Sequence, residues 1–294
     1  MFKGLLTALV TPFKKGEIDF ESFANLISWQ ISEGIHGLVV NGTTGESPTI
    51  EENEFCELIK TAVKIADGRV PIVVGTGTNS TAKTIRLTQL AQKLCADAAL
   101  VVAPYYNRPT QEGLHAHYKS VHDETNLPII LYNVPKRTGV DITADTVCKL
   151  AEHKRIVGVK ECSGDISRVS YMDSMITKLG RKDFSILAGN DPESLTFAAN
   201  GGKGCISVTA NIAPKLLAYM HELMMAGQFK NALVLHNKMN ILHNAMFCEV
   251  NPVPVKYALY MMGKIANELR SPLLPLSKER EKEVSSAMKE VGIL

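Results

Sequence analysis

Eight short apolar runs, rich in valine and isoleucine, recur along the chain. They occupy residues 5–11, 37–42, 71–77, 98–104, 128–135, 155–161, 184–190 and 204–210. Their apolarity is continuous and does not alternate with polar positions, which is typical of parallel strands buried on both faces. The pattern therefore predicts eight buried strands of one parallel sheet.

Amphipathic helical patterns lie between these runs. In the first of them Asp19 is a candidate N-cap, Gly34 a candidate end, and the apolar positions between them share one face. A strand and a helix repeated eight times predicts an α/β fold of the (β/α)8 TIM-barrel type. A doubly wound open sheet is the alternative, but it requires a glycine fingerprint after the first strand, where this chain has TPFKKGE.

The pattern changes near residue 212, after which it is almost entirely helical. This stretch contains more helices than the eighth barrel helix requires. We therefore predict a catalytic barrel over residues 1–225 and a small C-terminal helical extension, treated as a domain, over residues 226–294.

Composition narrows the class of protein. The 294 residues are 45% apolar and 21% charged, as expected for a globular chain with one large core. A net charge of +2 gives no reason to expect nucleic acid or a membrane as partner. The apolar N-terminal stretch is short and ends at Pro12, so we interpret it as a strand and not a signal peptide. Six scattered cysteines without a CxxC pair suit the cytoplasm.

In a barrel of this kind, catalytic groups lie at the carboxyl ends of the strands. The candidates at those positions are Thr43, Thr44, Tyr105, Tyr106, Tyr132, Lys160 and residues 189–191. Lys160 shares its strand parity, and hence its face, with Gly158. If that face is inward, desolvation lowers the pKa of the lysine and supplies a neutral amine that can attack a carbonyl. The alternative is a solvated lysine at a strand end.

Three further features have both a chemical and a structural interpretation. Tyr132 could transfer protons or simply pack. The hydroxyl and N–H groups of GTTGES, at 42–47, could hold a carboxylate, or the segment could be a tight turn before a helix. Arg137 could bind a substrate carboxylate through two hydrogen bonds or lie in solvent.

We predict no metal site. His115, His117 and His122 are spaced by two and five residues, which we interpret as different faces of a helix. No HExxH motif or cysteine cluster accompanies them.

Five motifs in the same order resemble those of the dihydrodipicolinate synthase family. They are GTTGES at 42–47, PYYNRP at 104–109, YNVP with RTG at 132–139, GVKE at 158–161 and ISVTAN at 206–211. The resemblance covers essentially the whole chain. It implies that pyruvate is condensed with L-aspartate 4-semialdehyde in lysine biosynthesis, without a separate cofactor, by a cytoplasmic homotetramer built as a dimer of dimers.

The resemblance also implies a role for each matching residue. Lys160 would bind pyruvate as an imine and then as an enamine. Tyr132, Thr44 and Tyr106 would form a proton relay, with Tyr106 supplied by a neighbouring subunit.

Five matching positions would bind or frame the two substrates. The N–H groups of Thr43 and Thr44 would hold the pyruvate carboxylate. Arg137 would bind the carboxylate of the semialdehyde, and the backbones of Gly189 and Ile206 would frame the site.

Related families leave alternatives open. N-acetylneuraminate lyase and the keto-deoxy sugar-acid aldolases share the barrel, the lysine and the tyrosine, whereas Thr44 and Arg137 favour the synthase. A barrel that binds a keto acid without turnover is a further alternative, against which the intact set of Lys160, Tyr132, Thr44 and Arg137 argues.

One departure from the family pattern concerns feedback by lysine. Asn79 and Tyr105 match the lysine-sensitive pattern, but Lys83 stands where it has an acidic residue and Glu52 where it has histidine. The Lys83 ammonium would repel the ammonium of a bound lysine. We therefore expect weak or absent feedback inhibition.

Overall fold

The chain folds into a closed barrel of eight parallel strands, and the computed structural model describes residues 1–294. The strands are β1 (Gly4–Ala8), β2 (Gly37–Val40), β3 (Ile72–Gly75), β4 (Ala98–Val102), β5 (Ile129–Asn133), β6 (Ile156–Glu161), β7 (Ser185–Ala188) and β8 (Gly204–Ser207). Each strand pairs with the next in the chain, and β8 closes the barrel against β1. The predicted barrel is confirmed, and the open doubly wound sheet is excluded.

A helix follows every strand. These helices are α1 (Phe20–Ser32), α2 (Glu52–Ala66), α3 (Thr81–Lys93), α4 (Gln111–Glu124), α5 (Ala144–Leu150), α6 (Ser167–Lys178), α7 (Ser194–Ala199) and α8 (Pro214–Met225). Asp19 caps α1 as predicted, because its carboxylate accepts the N–H of Ser22 at 3.0 Å. A small hairpin of Phe13–Lys14 and Glu17–Ile18 precedes α1, and a four-residue helix, Pro135–Thr138, precedes α5.

Strand parity decides which side chains enter the barrel. Tyr132 of β5 is paired with Lys160 of β6, and the next pair is Asn133 with Glu161. Successive pairs point to opposite faces of a sheet. The amide of Asn133 donates to the Glu161 carboxylate at 3.0 and 3.1 Å, whereas Tyr132 belongs to the apolar cluster inside the barrel. Lys160 therefore lies on the inward face.

Three helices follow the barrel: α9 (Phe229–Ala245), α10 (Val253–Met261) and α11 (Lys278–Val291). Their buried residues, among them Val255, Leu259 and Val284, belong to the same cluster of 69 buried residues as the outer layer of the barrel. The helices thus extend the barrel core. The predicted boundary after residue 225 falls at the end of α8. It divides the barrel helices from the later helices, but the two groups share one hydrophobic core. No helix combines the length and apolarity needed to cross a bilayer.

Candidate active site

Lys160 lies inside the barrel beside the ring of Tyr132. Its side chain is 6% exposed, and its ammonium nitrogen is 4.5 Å from the centre of the tyrosine ring. Gly189, at the end of β7, allows this arrangement. A Cβ at that position would lie 3.0 Å from Cε of Lys160 and 1.9 Å from Sγ of Cys162, so only glycine permits the close approach. Ile206 of β8 is fully buried in the same interior cluster.

The electrostatic surroundings of Lys160 differ from those that the sequence predicts. Burial is the largest single influence and lowers its pKa. Electrostatic interactions with Tyr132, Cys162, Cys205 and Asp191 act in the opposite direction, and the net effect is a pKa above the ordinary lysine value. The expectation of a lowered pKa was therefore wrong, because the run of residues around a lysine shows its burial but not its distant neighbours.

The upward shift depends on which of those neighbours carry a charge. Burial raises the pKa of Cys162 to about 12 and raises that of Cys205 well above its ordinary value. Both thiols therefore keep their protons at pH 7. Asp191 is a buried side chain whose carboxyl oxygen accepts the N–H of Val208 at 3.0 Å.

The GTTGES segment forms a turn beside the end of β2. Thr44 is buried, and its hydroxyl oxygen accepts a hydrogen bond from the side-chain amide of Asn251 at 3.0 Å. Glu46 has a left-handed backbone, with φ of 56°, and its buried carboxylate accepts a hydrogen bond from Lys256 at 2.5 Å. The turn therefore positions the hydroxyl of Thr44, and the hydrogen bond between Glu46 and Lys256 holds the turn against α10.

A cavity of about 460 Å³ opens at this end of the barrel. Thr43, Tyr132 and Arg137 line it, so it brings together a hydroxyl, a phenol and a guanidinium. Lys160 does not line the cavity but lies against Tyr132, which does. Arg137 is exposed on the four-residue helix, where it donates to the backbone carbonyl of Asn251 at 3.2 Å. The guanidinium keeps further N–H groups for a ligand.

Tyr106, the third residue of the predicted proton relay, is exposed to solvent, whereas Tyr132 and Thr44 are buried. Its side chain is 91% exposed and its backbone is left-handed, with φ of 72°. Neighbouring Tyr105 lines the cavity, whereas Tyr106 does not. Within a single chain, therefore, the side chain of Tyr106 lies in solvent and contributes nothing to the wall of the cavity.

The prediction that His115, His117 and His122 lie on different helix faces is wrong for His115 and His122. His115 and His122, which lie seven residues or two helical turns apart, both pack against His153, with ring centres 5.7 and 5.1 Å away. No group of three histidine, cysteine or acidic side chains is arranged to hold a metal ion.

Comparison with known proteins identifies the family. The model of the Dihydrodipicolinate synthetase family matches residues 1–291. A protein of Thermodesulfovibrio yellowstonii named 4-hydroxy-tetrahydrodipicolinate synthase is 50% identical over 294 residues, which cover 100% of both chains. The chain belongs to the dihydrodipicolinate synthetase family. Membership makes it an enzyme of the lyase class, and it supports the synthase over the related lyase and aldolases.

Solved structures of this family agree with the fold in detail. The dihydrodipicolinate synthase of Thermotoga maritima superposes with a TM-score of 0.98 at 44% identity, with 100% of both chains covered. A chloride-inhibited dihydrodipicolinate synthase of Acinetobacter baumannii, solved in complex with pyruvate, gives a TM-score of 0.96 at 43% identity, again over 100% of both chains. The likeness thus extends to a family member that binds pyruvate.

Two residues that contact the site were not found from the sequence. Asn251 bridges Thr44 and Arg137, although it lies 207 and 114 residues from them in the chain. Cys162 packs beside Gly189 inside the barrel. Strand parity could have found Cys162, since it follows Lys160 by two residues. No local pattern marks a contact as distant as that of Asn251.

Proposed function

We propose that the chain catalyses the reaction for which its relatives are named, the condensation of pyruvate with L-aspartate 4-semialdehyde, through an imine on Lys160. The observation that carries this proposal is the buried amine of Lys160 beside the phenol of Tyr132, at the end of two paired strands. A buried amine next to a group that can carry protons is suited to form and resolve an imine.

The chemical steps balance without a separate cofactor. Lys160 first gives up a proton, its amine then adds to the keto carbon of pyruvate, and the resulting carbinolamine loses water to give the imine. Loss of a proton from the methyl carbon gives an enamine, whose carbon forms the new bond to the aldehyde while the aldehyde oxygen takes up a proton. The amino group of the semialdehyde then displaces Lys160 from the imine carbon, which closes a ring and frees the lysine. Each step moves one proton, and we assign that transfer to Tyr132, Thr44 and Tyr106.

Charge complementarity supports the assignment of the binding groups. Both substrates are carboxylates. The N–H groups of Thr43 and Thr44 would hold that of pyruvate, and Arg137, exposed at the cavity wall, would hold that of the semialdehyde. Gly189 and Ile206 would frame the site through their backbones.

We also propose that the enzyme works in the cytoplasm as a homotetramer arranged as a dimer of dimers. The 91% exposure of Tyr106 supports a subunit interface at that position. If Tyr106 belongs to the relay, its phenol must enter the active site of a neighbouring subunit, because in its own chain it lies in solvent. All six cysteines are free, which fits a reducing compartment.

Borohydride reduction tests the imine directly. With pyruvate present, the protein should gain the mass of one reduced pyruvyl group, and peptide mapping should place it on Lys160. The Lys160→Arg variant should gain none, whereas Lys136→Ala, which changes an exposed lysine near the site, should label fully. Labelling elsewhere, or none at all, would refute the imine mechanism.

A coupled assay then separates the synthase from its alternatives. Aspartate semialdehyde should be consumed together with pyruvate, and N-acetylneuraminate should not be cleaved. Trapping of pyruvate without turnover of either compound would instead indicate a keto-acid sensor.

A further inference from the structure

Asn251 contacts both residues that distinguish the synthase from its relatives. It lies between α9 and α10 and is 6% exposed. Its side-chain amide donates to the hydroxyl of Thr44 at 3.0 Å, and its backbone carbonyl accepts from the guanidinium of Arg137 at 3.2 Å. A single residue of the C-terminal extension therefore bridges the glycine turn and the cavity wall.

The direction of the hydrogen bond to Thr44 matters for proton transfer. A threonine hydroxyl has one hydrogen to donate and two positions at which it can accept. Because the Thr44 oxygen accepts from Asn251, the hydroxyl hydrogen stays free for a different acceptor. The opposite orientation of the amide would aim its oxygen at Thr44 and consume that hydrogen.

The Asn251 side chain makes no other hydrogen bond that would explain its burial. Its amide oxygen is buried without a partner, although buried side-chain oxygens in folded proteins are nearly always paired. The contact with Thr44 is thus the one polar interaction of this side chain. A residue kept for stability alone would be expected to satisfy both ends of its amide.

Both ends of the bridge are held in place by a buried ion pair. Lys256 of α10 is fully buried and donates to the Glu46 carboxylate at 2.5 Å and to the carbonyl of Thr11 at 2.9 Å. Glu46 follows Thr44 by two residues, and Lys256 follows Asn251 by five. The ion pair therefore fixes the turn and the extension relative to each other on either side of the hydrogen bond.

We propose that Asn251 is a positioning residue of the reaction: its amide directs the Thr44 proton into the relay, and its carbonyl holds Arg137 at the cavity wall. The inference rests on the proposed function, since it concerns the same relay. Its two parts predict different kinetics, because substitution of the side chain removes the amide but leaves the backbone carbonyl.

Replacement of the side chain should therefore separate kcat from KM. Asn251→Asp keeps the shape but turns the donor into an acceptor, so the Thr44 proton is held by the new carboxylate. We expect kcat to fall roughly 10-fold to 100-fold, while KM for the semialdehyde changes less than about threefold because Arg137 keeps its carbonyl partner. Asn251→Ala introduces no charge and should lower kcat less than Asn251→Asp does. It replaces Asn251→Asp as the test if that variant does not fold.

A double-mutant cycle shows whether the effect passes through Thr44. In a Thr44→Val background, Asn251→Asp should lower kcat by less than about twofold. Val250→Ala, which changes the exposed neighbour of Asn251, is the matched control and should retain wild-type kcat.

Three results would overturn the inference. The first is a kcat within twofold of wild type in both Asn251→Asp and Asn251→Ala. The second is an equally large effect of Asn251→Asp on kcat in the Thr44→Val background. The third is a parallel fall of kcat, of affinity for the semialdehyde and of the thermal unfolding midpoint. In each case the wild type still traps pyruvate and turns over. A wild type that traps no pyruvate would instead remove the proposed function itself.

Discussion

Lys160 and Arg137 differ sharply in their exposure to solvent, and this difference suits them to different tasks. Lys160 is buried inside the barrel, where desolvation acts on its charge. Arg137 is exposed at the cavity wall, where its charge stabilises the fold little and remains free to recruit an anion. Substitution of Arg137 should therefore affect a substrate and leave the fold intact.

Arg137→Lys should impair use of the semialdehyde selectively. A lysine keeps the charge but loses the planar, two-pronged donor geometry. We expect kcat/KM for the semialdehyde to fall about 100-fold, or about 2.7 kcal/mol, with pyruvate trapping unchanged. Lys136→Ala, on the same short helix, is the control and should behave as wild type. Loss of pyruvate trapping in Arg137→Lys would assign the arginine to the wrong substrate.

Buried histidine makes stability depend on pH. Burial lowers the pKa of His117 in α4 to about 4, below the value of about 6.5 expected in the unfolded chain. Between these values the unfolded chain binds a proton that the folded chain does not, so stability is lost as pH falls below 6.5. At pH 4.5 the loss should be about 2.5 kcal/mol.

Urea unfolding of His117→Gln at pH 7 and pH 4.5 measures that contribution. The variant should lose less stability than wild type over this interval, by the amount stated above. His115→Gln, two residues away on the same helix, should follow the wild-type curve. Parallel curves for wild type and His117→Gln would show that His117 titrates normally.

Among the elements, the turn at 42–47 and helix α10 are joined by the ion pair of Lys256 with Glu46. Both side chains are almost fully buried, at 0% and 1% exposure. Burial lowers the pKa of Lys256, and Glu46 opposes that shift. Such a pair adds little net stability over apolar residues, but loss of one partner leaves a buried charge without compensation.

Lys256→Met should consequently destabilise the fold by about 3–5 kcal/mol in urea unfolding. Adding Glu46→Gln should restore part of the loss, because the stranded charge is then removed. Lys60→Met, which breaks an exposed pair with Glu57, should have no measurable effect. If the double variant is less stable than Lys256→Met, the stranded charge is not the cause.

The facing ends of α2 and α3 carry the charges that argue against lysine feedback. Glu52 of α2 forms a salt bridge with Arg86 of α3, and Lys83 of α3 lines the same cavity. Glu52 is thus already paired, and Lys83 repels a second ammonium. We expect millimolar L-lysine to leave the initial rate unchanged in the coupled assay. Strong inhibition at submillimolar concentration would disprove this prediction.

The elements could be predicted from sequence more fully than the contacts between them. The eight strands were found because burial on both faces leaves a local mark, an unbroken apolar run. Lys160 and Tyr132 were placed because parity and strand ends are also local. By contrast, the Asn251 contact and the charges that shift the pKa of Lys160 arise only when distant segments meet.

For the whole molecule, the exposed position of Tyr106 bears on how many chains one active site requires. The phenol of Tyr106 points into solvent and is 91% exposed, which is unusual for a large aromatic ring. Exposed aromatic residues are typical of interfaces between subunits. If Tyr106 acts in the site of a partner, activity requires two chains, and two inactive variants should complement each other.

Co-expression of Tyr106→Phe with Lys160→Arg tests this arrangement. If the two variants pair at random, half of the pairs contain one chain of each kind. In each mixed pair one of the two sites has both an intact lysine and an intact donated tyrosine. About a quarter of wild-type activity should therefore return. Tyr132→Phe with Lys160→Arg is the matched control. Because Tyr132 lies beside the lysine of its own chain, no mixed site is complete and activity should stay low. If co-expressed Tyr106→Phe and Lys160→Arg are no more active than the two variants measured separately and added, Tyr106 is not part of the relay.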